Sequence, residues 1–270
     1  MSYVISFVGT KDGQGVTSTA LAVADELARD HYVLFVDADM SGTATAVDHL
    51  QIDPAGRGMN NLVGEGPLTA EMLRAQAVPA RRPRMHIVPG LMAIYGNRVS
   101  HLVQRLHRGK ALADLPYDFV VFDLGTAWSH ALLEHPRPEA QAVAAISARV
   151  FVMFQDSPAR LARSIQVLLA AQPPKAEIIL LESRRGQLSR QVKEAVAARL
   201  PEVGLAAVVR WDPKKAVQAE DAGEPIAGVG AQVLEGAQIV ERARAAMEAR
   251  RSPRPAAGRH GPVETAPETG

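Results

Sequence analysis

Tyr3-Val4-Ile5-Ser6-Phe7-Val8-Gly9-Thr10-Lys11-Asp12-Gly13-Gln14-Gly15-Val16-Thr17-Ser18 is the stretch on which the fold turns. Tyr3–Val8 is an apolar run without strict polar alternation, the pattern of a strand buried on both faces. Gly9, Gly13 and Gly15 follow, and from about Thr17 to Arg29 the apolar residues take the i, i+3, i+4 spacing of a helix. A strand, a glycine-rich turn and a helix N-terminus together make an anion site, because consecutive backbone N–H groups point at the anion and the helix dipole favours negative charge. The common phosphate-binding pattern G-x-x-x-x-G-K-[ST] adds a lysine just before the hydroxyl residue that holds magnesium. In this chain Val16 stands in that place.

Outward from the loop, the same kind of apolar run recurs at Val33–Val36, Met85–Val88, Phe119–Phe122, Val150–Phe154, Ile178–Leu181 and Leu205–Val209. Helical spacing appears between them at Val99–Leu112, Ala159–Ala171, Ser189–Leu200 and Val229–Ala249. Strands alternating with helices imply an α/β fold, a doubly wound, mostly parallel sheet with helices on both faces and right-handed crossovers. Asp53–Pro83 is rich in Gly, Pro and Arg and reads as loops around a short helix near Thr69–Gln76. The stretch from Pro253 to Gly270 holds four prolines and three glycines, with Val263 its one large apolar residue. Such a segment buries too little surface to offset chain entropy, so one domain over residues 1–250 and a disordered tail over 251–270 are expected.

Composition removes several functions. The formal net charge of +1 exerts no global pull toward nucleic acid or membrane. No cysteine is present, so disulfides and thiolate metal sites are excluded. No segment approaches the roughly 18 apolar residues of a spanning helix, and Met1–Val8 lacks a basic leader, so a cytoplasmic protein is expected. The eight histidines show no metal-binding spacing and are expected on the surface.

The loop resembles that of the ParA/MinD family of deviant Walker ATPases, members of the SIMIBI class of P-loop proteins, which reads roughly K-G-G-x-G-K-[ST]-[ST]. On that resemblance Lys11 matches the family's signature lysine, Gly13 and Gly15 its glycines, and Thr17 its magnesium-binding hydroxyl. Val16 replaces the phosphate lysine and Asp12 replaces a glycine. Val33-Leu34-Phe35-Val36-Asp37-Ala38-Asp39 looks like the family's second strand, whose second aspartate lies near magnesium and the attacking water. Tyr117-Asp118-Phe119-Val120-Val121-Phe122-Asp123 looks like its Walker B strand. Trp211-Asp212-Pro213, with Val217 and Gly223-Glu224-Pro225-Ile226, resembles the segment that passes the adenine, while Glu182-Ser183 stands where the family often carries an asparagine. Among divergent members the pattern is similar to the CpaE/TadZ-like group of pilus-assembly and polar-localisation systems.

The resemblance implies ATP or ADP and magnesium as ligands. It assigns cofactor contacts to Gly9, Thr10, Lys11, Asp12, Gly13, Gln14, Gly15, Val16, Thr17, Ser18, Asp212 and Pro213, metal binding to Thr17, Asp39 and Asp123, and catalytic roles to Lys11 and Asp39. Thr17 suits a plain helix N-cap equally well, and Asp37, Asp39 and Asp123 suit strand-end caps. The resemblance further implies a sandwich homodimer in which Lys11 reaches the partner's nucleotide. An ammonium about 4 Å from a phosphate oxygen is worth on the order of 4 kcal/mol at an effective dielectric near 20. Without it hydrolysis should suffer more than binding, so weak or absent turnover is expected.

The expectation is therefore a dimeric positioning or assembly factor that recruits a protein partner. The alternative is an active ParA-type ATPase positioning cargo on nucleoid DNA. Arg184-Arg185, Arg190, Lys193 and Lys214-Lys215 offer basic clusters for non-specific DNA, but interspersed acidic residues favour a solvated surface. The last helix has few bulky apolar anchors opposite Arg242, Arg244, Arg250 and Arg251, so membrane insertion is not expected.

Overall fold

The structure, a computed structural model, describes residues 2–10, 13–39, 45–64, 66–91, 105, 111–112, 114–126, 145–155, 157–171, 175–182 and 189–251. Lys11, Asp12, Arg184, Arg185, most of the expected helix Val99–Leu112 and residues 252–270 of the tail lie outside the described residues. Strand β1 (Tyr3–Gly9) leads to helix α1 (Val16–Leu27), then β2 (Val33–Asp37) and α2 (Thr45–His49). A 3-10 turn (Met59–Leu62), α3 (Ala70–Ala75), β3 (Val78–Pro79), β4 (Met85–Val88) and β5 (Phe119–Asp123) come next. The second half alternates regularly: β6 (Arg149–Gln155), α4 (Pro158–Ala171), β7 (Ala176–Glu182), α5 (Ser189–Arg199), β8 (Gly204–Arg210), α6 (Pro213–Ala222), α7 (Val229–Ala237) and α8 (Ile239–Arg251).

Among the described residues the strands form one sheet in the order β3-β4-β2-β5-β1-β6-β7-β8. Every pairing is parallel except β3 with β4. All seven residues of β1 and all five of β2 and β5 are buried, which is why their sequences run apolar without alternation. Alternate side chains feed two cores. Val4, Val8, Leu34, Val120 and Val152 face the layer holding Ile165 and Leu168 of α4 and Val192 of α5. Ile5, Phe7, Phe35, Val121 and Phe151 face the layer of α1, α7 and α8. Central β1 is flanked by β5 and β6, and the chain goes from β1 to β2 on one side and later to β6 on the other. That is the switch point of an open α/β sheet, where a crevice opens beyond the strands' carboxyl ends.

Four local features depart from the sequence reading. The expected single helix Val229–Ala249 is two, because Gln238 adopts a left-handed conformation with φ 50° and ends α7. Just before that end Gly236 is pressed onto β8, where a Cβ would come within 2.8 Å of Ala207. Helix α6 is additional; its cues are Asp212 as N-cap, Pro213 in the first turn and left-handed Gly223 at the C-cap. The two-residue edge strand β3 carries a proline, which tolerates only such an edge. Finally, His49 is buried, with Nε2 hydrogen-bonded to the Glu224 carbonyl at 3.1 Å, so the surface expectation fails for it.

Helix α8 is held down by charge as well as by Ile239 and Ala243. Arg242 reaches both oxygens of Glu177 on β7 at 2.6 and 2.8 Å, and Arg149 on β6 approaches the same carboxylate at 3.0 Å. One of the arginines that made the last helix look basic is therefore paired within the fold. Among the described residues no helix is long and apolar enough to cross a membrane.

Candidate functional site

The site lies where β1, β2, β5 and β6 end. Gly9 donates its N–H to the Gly125 carbonyl at 2.7 Å, so the phosphate loop leaves β1 tied to the turn after β5. Gly13 and Gly15 both take positive φ, 70° and 72°, the left-handed region that favours glycine. Gly15 is the N-cap of α1, and no side chain caps that helix. Uncapped N–H groups at a helix start are the donors an anion takes up.

Side chains of the loop divide by direction. Thr10 and Gln14 are buried, at 1% exposure each, and turn inward: Gln14 Oε1 accepts the Thr10 N–H at 2.7 Å, and both reach Ser164 of α4. Neither side chain is left to face a ligand, and the Thr10 N–H is spent within the loop. Val16 is 5% exposed and belongs to the apolar layer of α1. Its place in the pattern is that of a cation, yet its side chain is core. Thr17 and Ser18 are half-buried in the first turn of α1.

Thr17 donates its hydroxyl to Asp123 at the end of β5, and the Gly125 N–H donates to Asp123 Oδ1 at 2.9 Å. Asp123 Oδ2 is buried without a hydrogen-bond partner. Asp37 pairs in register with Asp123 across β2 and β5 and is fully buried. It accepts from the N–H groups of Asp39 at 3.2 Å and Ala46 at 3.1 Å. Burial first, and then the Asp123 charge, hold the Asp37 carboxyl well above the ordinary range. Burial likewise lifts Asp123 to about 6, against the pull of the Thr17 hydroxyl and the Gly125 N–H, with the Asp39 charge adding to the rise. Two glycines make room for the carboxylates. A Cβ at Gly90 would sit 2.7 Å from Asp37 Cγ, and one at Gly125 would fall on the Asp39 carboxylate.

The expected residues Thr17, Asp39 and Asp123 thus come together around one turn, with Asp37 beneath them. No three His, Cys, Asp or Glu side chains among the described residues are grouped to cage a metal ion. A hydroxyl beside a carboxylate with an unpartnered oxygen fits magnesium of the other kind, held mainly by phosphate oxygens and water with one or two protein ligands.

Asp212 and Pro213 stand apart from that turn. Asp212 Oδ1 accepts the Lys214 N–H at 2.9 Å and the Lys215 N–H at 3.5 Å, the bonds of a helix N-cap. Their neighbour Trp211 is the residue that approaches the loop: a Cβ on Gly15 would meet Trp211 Cη2 and Leu181 Cδ1, each at 3.0 Å. Gln155, at the end of β6, was not legible as a site residue. Its Nε2 donates to the Gly13 carbonyl at 2.7 Å and its Oε1 is buried without a partner. The one signal available was its position at the carboxyl end of a strand beside the loop strand.

By sequence the chain matches no family model and no curated protein. Solved structures match over most of its length. A ParA family ATPase from Chlorobium tepidum aligns with a TM-score of 0.67 at 18% identity, covering 90% of this chain and 99% of that one. The cell division ATPase MinD of Pyrococcus furiosus aligns with a TM-score of 0.65 at 18% identity over 90% and 99%. The MinD protein of Pyrococcus horikoshii, solved with Mg-ADP, aligns with a TM-score of 0.61 at 19% identity over 93% and 98%. Strand order, loop and carboxylate positions together give this chain the fold of the MinD and ParA ATPases.

Proposed function

We propose that this chain is a positioning or assembly factor of the MinD/ParA type, acting as a homodimer that recruits a protein partner and holding nucleotide at a site with weak or absent hydrolysis. The observation that carries it is Val16, an apolar side chain built into the core of α1 where the phosphate-binding pattern requires a cation. Phosphoryl transfer is catalysed by positioned charge, so this loop lacks the chief source of it. What remains suits binding: two left-handed glycines, an uncapped helix start, and the Thr17–Asp123 pair.

Magnesium arriving with ATP or ADP would neutralise phosphate charge. Thr17 would offer it the hydroxyl now donated to Asp123, while Asp123 and Asp39 would order its water. Lys11, by resemblance, would serve the partner subunit's nucleotide. The divergent pilus-assembly and polar-localisation systems are the setting that the degenerate loop resembles.

Calorimetric titration with magnesium-ATP, a phosphate-release assay and light scattering with and without nucleotide test the proposal. Expected are measurable binding, nucleotide-dependent dimer and little phosphate release. Robust turnover would replace the proposal with an active ATPase, and salt-sensitive retention on DNA would then support the nucleoid-bound alternative. No binding at millimolar nucleotide would remove the site altogether.

A further inference from the structure

The phosphate loop is braced from behind by a closed ring of side chains. Three contacts define it: Thr10 Oγ1 with Ser164 Oγ at 2.6 Å, Thr10 Oγ1 with Gln14 Oε1 at 3.2 Å, and Gln14 Nε2 with Ser164 Oγ at 3.3 Å. All three residues are buried, at 1% exposure each. The proton arrangement follows from chemistry. A backbone N–H only donates, so the 2.7 Å contact from Thr10 N fixes the Gln14 atom facing it as the carbonyl oxygen. The Gln14 amide nitrogen then faces Ser164 and donates to it. Thr10 gives its hydroxyl proton to Gln14, leaving Ser164 to give its own to Thr10. Every hydroxyl donates once and accepts once, the unidirectional arrangement in which hydrogen bonds reinforce one another.

The ring joins elements from both layers. Thr10 and Gln14 belong to the turn that leads into α1, whereas Ser164 sits on α4, whose apolar residues Ile165 and Leu168 pack on the opposite face of the sheet. Gln155 from β6 also holds the loop, donating to the Gly13 carbonyl at 2.7 Å. In a loop with a cation before its Ser or Thr, the phosphate and that cation help to organise the turn. Here Val16 contributes no such charge, and the turn is held by neutral bonds that need no ligand.

We infer that Thr10, Gln14 and Ser164 are positioning residues that set the loop in its anion-receiving turn before a ligand arrives, so that α4 controls the readiness of the phosphate site. The part concerning ligand rests on the function proposed above; the part concerning loop conformation does not.

Hydrogen exchange on the full-length chain separates the two. In Thr10→Val, which keeps shape but removes the hydroxyl, and in Ser164→Ala, amides of residues 9, 10 and 13–16 should exchange about tenfold faster, the equivalent of one lost buried hydrogen bond. Peptides from β7 and β8 should be unchanged, which shows that the fold is intact. Thr10→Ser, which keeps the hydroxyl and loses the methyl, should restore slow exchange. Affinity for pyrophosphate and for magnesium-ADP should fall about tenfold in Thr10→Val and recover in Thr10→Ser, again the scale of one such bond. Wild-type exchange in the loop of both disrupting variants, or a Thr10→Ser variant as loose as Thr10→Val, overturns the inference. So does undiminished binding in Thr10→Val where the wild type binds. If the wild type binds neither probe while the exchange pattern holds, the ring stands and the nucleotide function falls.

Discussion

Thr17 in the first turn of α1 donates its hydroxyl to Asp123 at the last position of β5, joining the anion-binding end of the helix to a carboxylate that is fully buried. Burial raises Asp123 to about 6, so the folded chain binds that proton more tightly than the unfolded chain, whose carboxyl titrates near 3.8. The stabilising effect of protonation is complete below the unfolded value and is lost as pH rises through about 6. The difference corresponds to on the order of 3 kcal/mol. Asp123→Asn keeps an acceptor for Gly125 and a polar group for Thr17 but no charge. Urea denaturation from pH 4 to 8 should show the variant gaining on the wild type as pH rises and exceeding it at pH 8. Equal stabilities at pH 8 would refute the cost assigned to this carboxylate.

Val16→Lys restores the pattern's cation but must place it in a core position. Removing a buried valine costs about 1.5–3 kcal/mol, whereas a well-placed ammonium beside phosphate gains on the order of 4 kcal/mol at an effective dielectric near 20. The variant should therefore melt below the wild type without ligand and show the larger melting shift with magnesium-ATP. Differential scanning fluorimetry across a nucleotide series checks both signs. A variant that melts lower and responds no more than the wild type would mean that the lysine cannot reach the phosphates.

Gly15→Ala tests the packing of the loop against Trp211. The residue has φ 72°, which costs an L side chain about 1–2 kcal/mol, and the new methyl would meet Trp211 and Leu181 at 3.0 Å. A loss of roughly 2–3 kcal/mol in chemical denaturation is expected, the sum of the backbone term and modest overpacking. Trp211 emission should shift when measured in a Trp128→Phe background. A neutral substitution would mean that the loop does not hold this turn in solution.

Much of this fold was legible because burial on both faces writes itself as unbroken apolar runs: Phe119–Phe122 and Val150–Phe154 lie within strands β5 and β6. The loop glycines were legible because positive φ at Gly13 and Gly15 limits the residue choice. What remained hidden depends on contacts between distant residues. Nothing local to Ser164 marks it as a neighbour of Gln14, 150 positions away. The break at Gln238 arises where α7 meets the sheet, against a continuous helical pattern in sequence. Val16 marked a missing charge in sequence, but its membership of the α1 core appears only once α1 is laid on the sheet.

Asp212 is assigned two roles, a ligand contact by resemblance and a helix cap by geometry, and one pair of substitutions separates them. Its Oδ1 accepts the Lys214 N–H at 2.9 Å at the start of α6, whose ten residues include none that is buried. A helix with so little packing depends on its ends. Asparagine caps as well as aspartate, whereas alanine forfeits about 1 kcal/mol. Asp212→Asn should therefore match the wild type in stability, and Asp212→Ala should lose about 1 kcal/mol, with faster amide exchange confined to 213–222. If the cap is the whole role, magnesium-ADP affinity in Asp212→Asn equals that of the wild type. A selective loss of affinity in Asp212→Asn, with stability intact, would instead place the carboxylate's charge at the ligand.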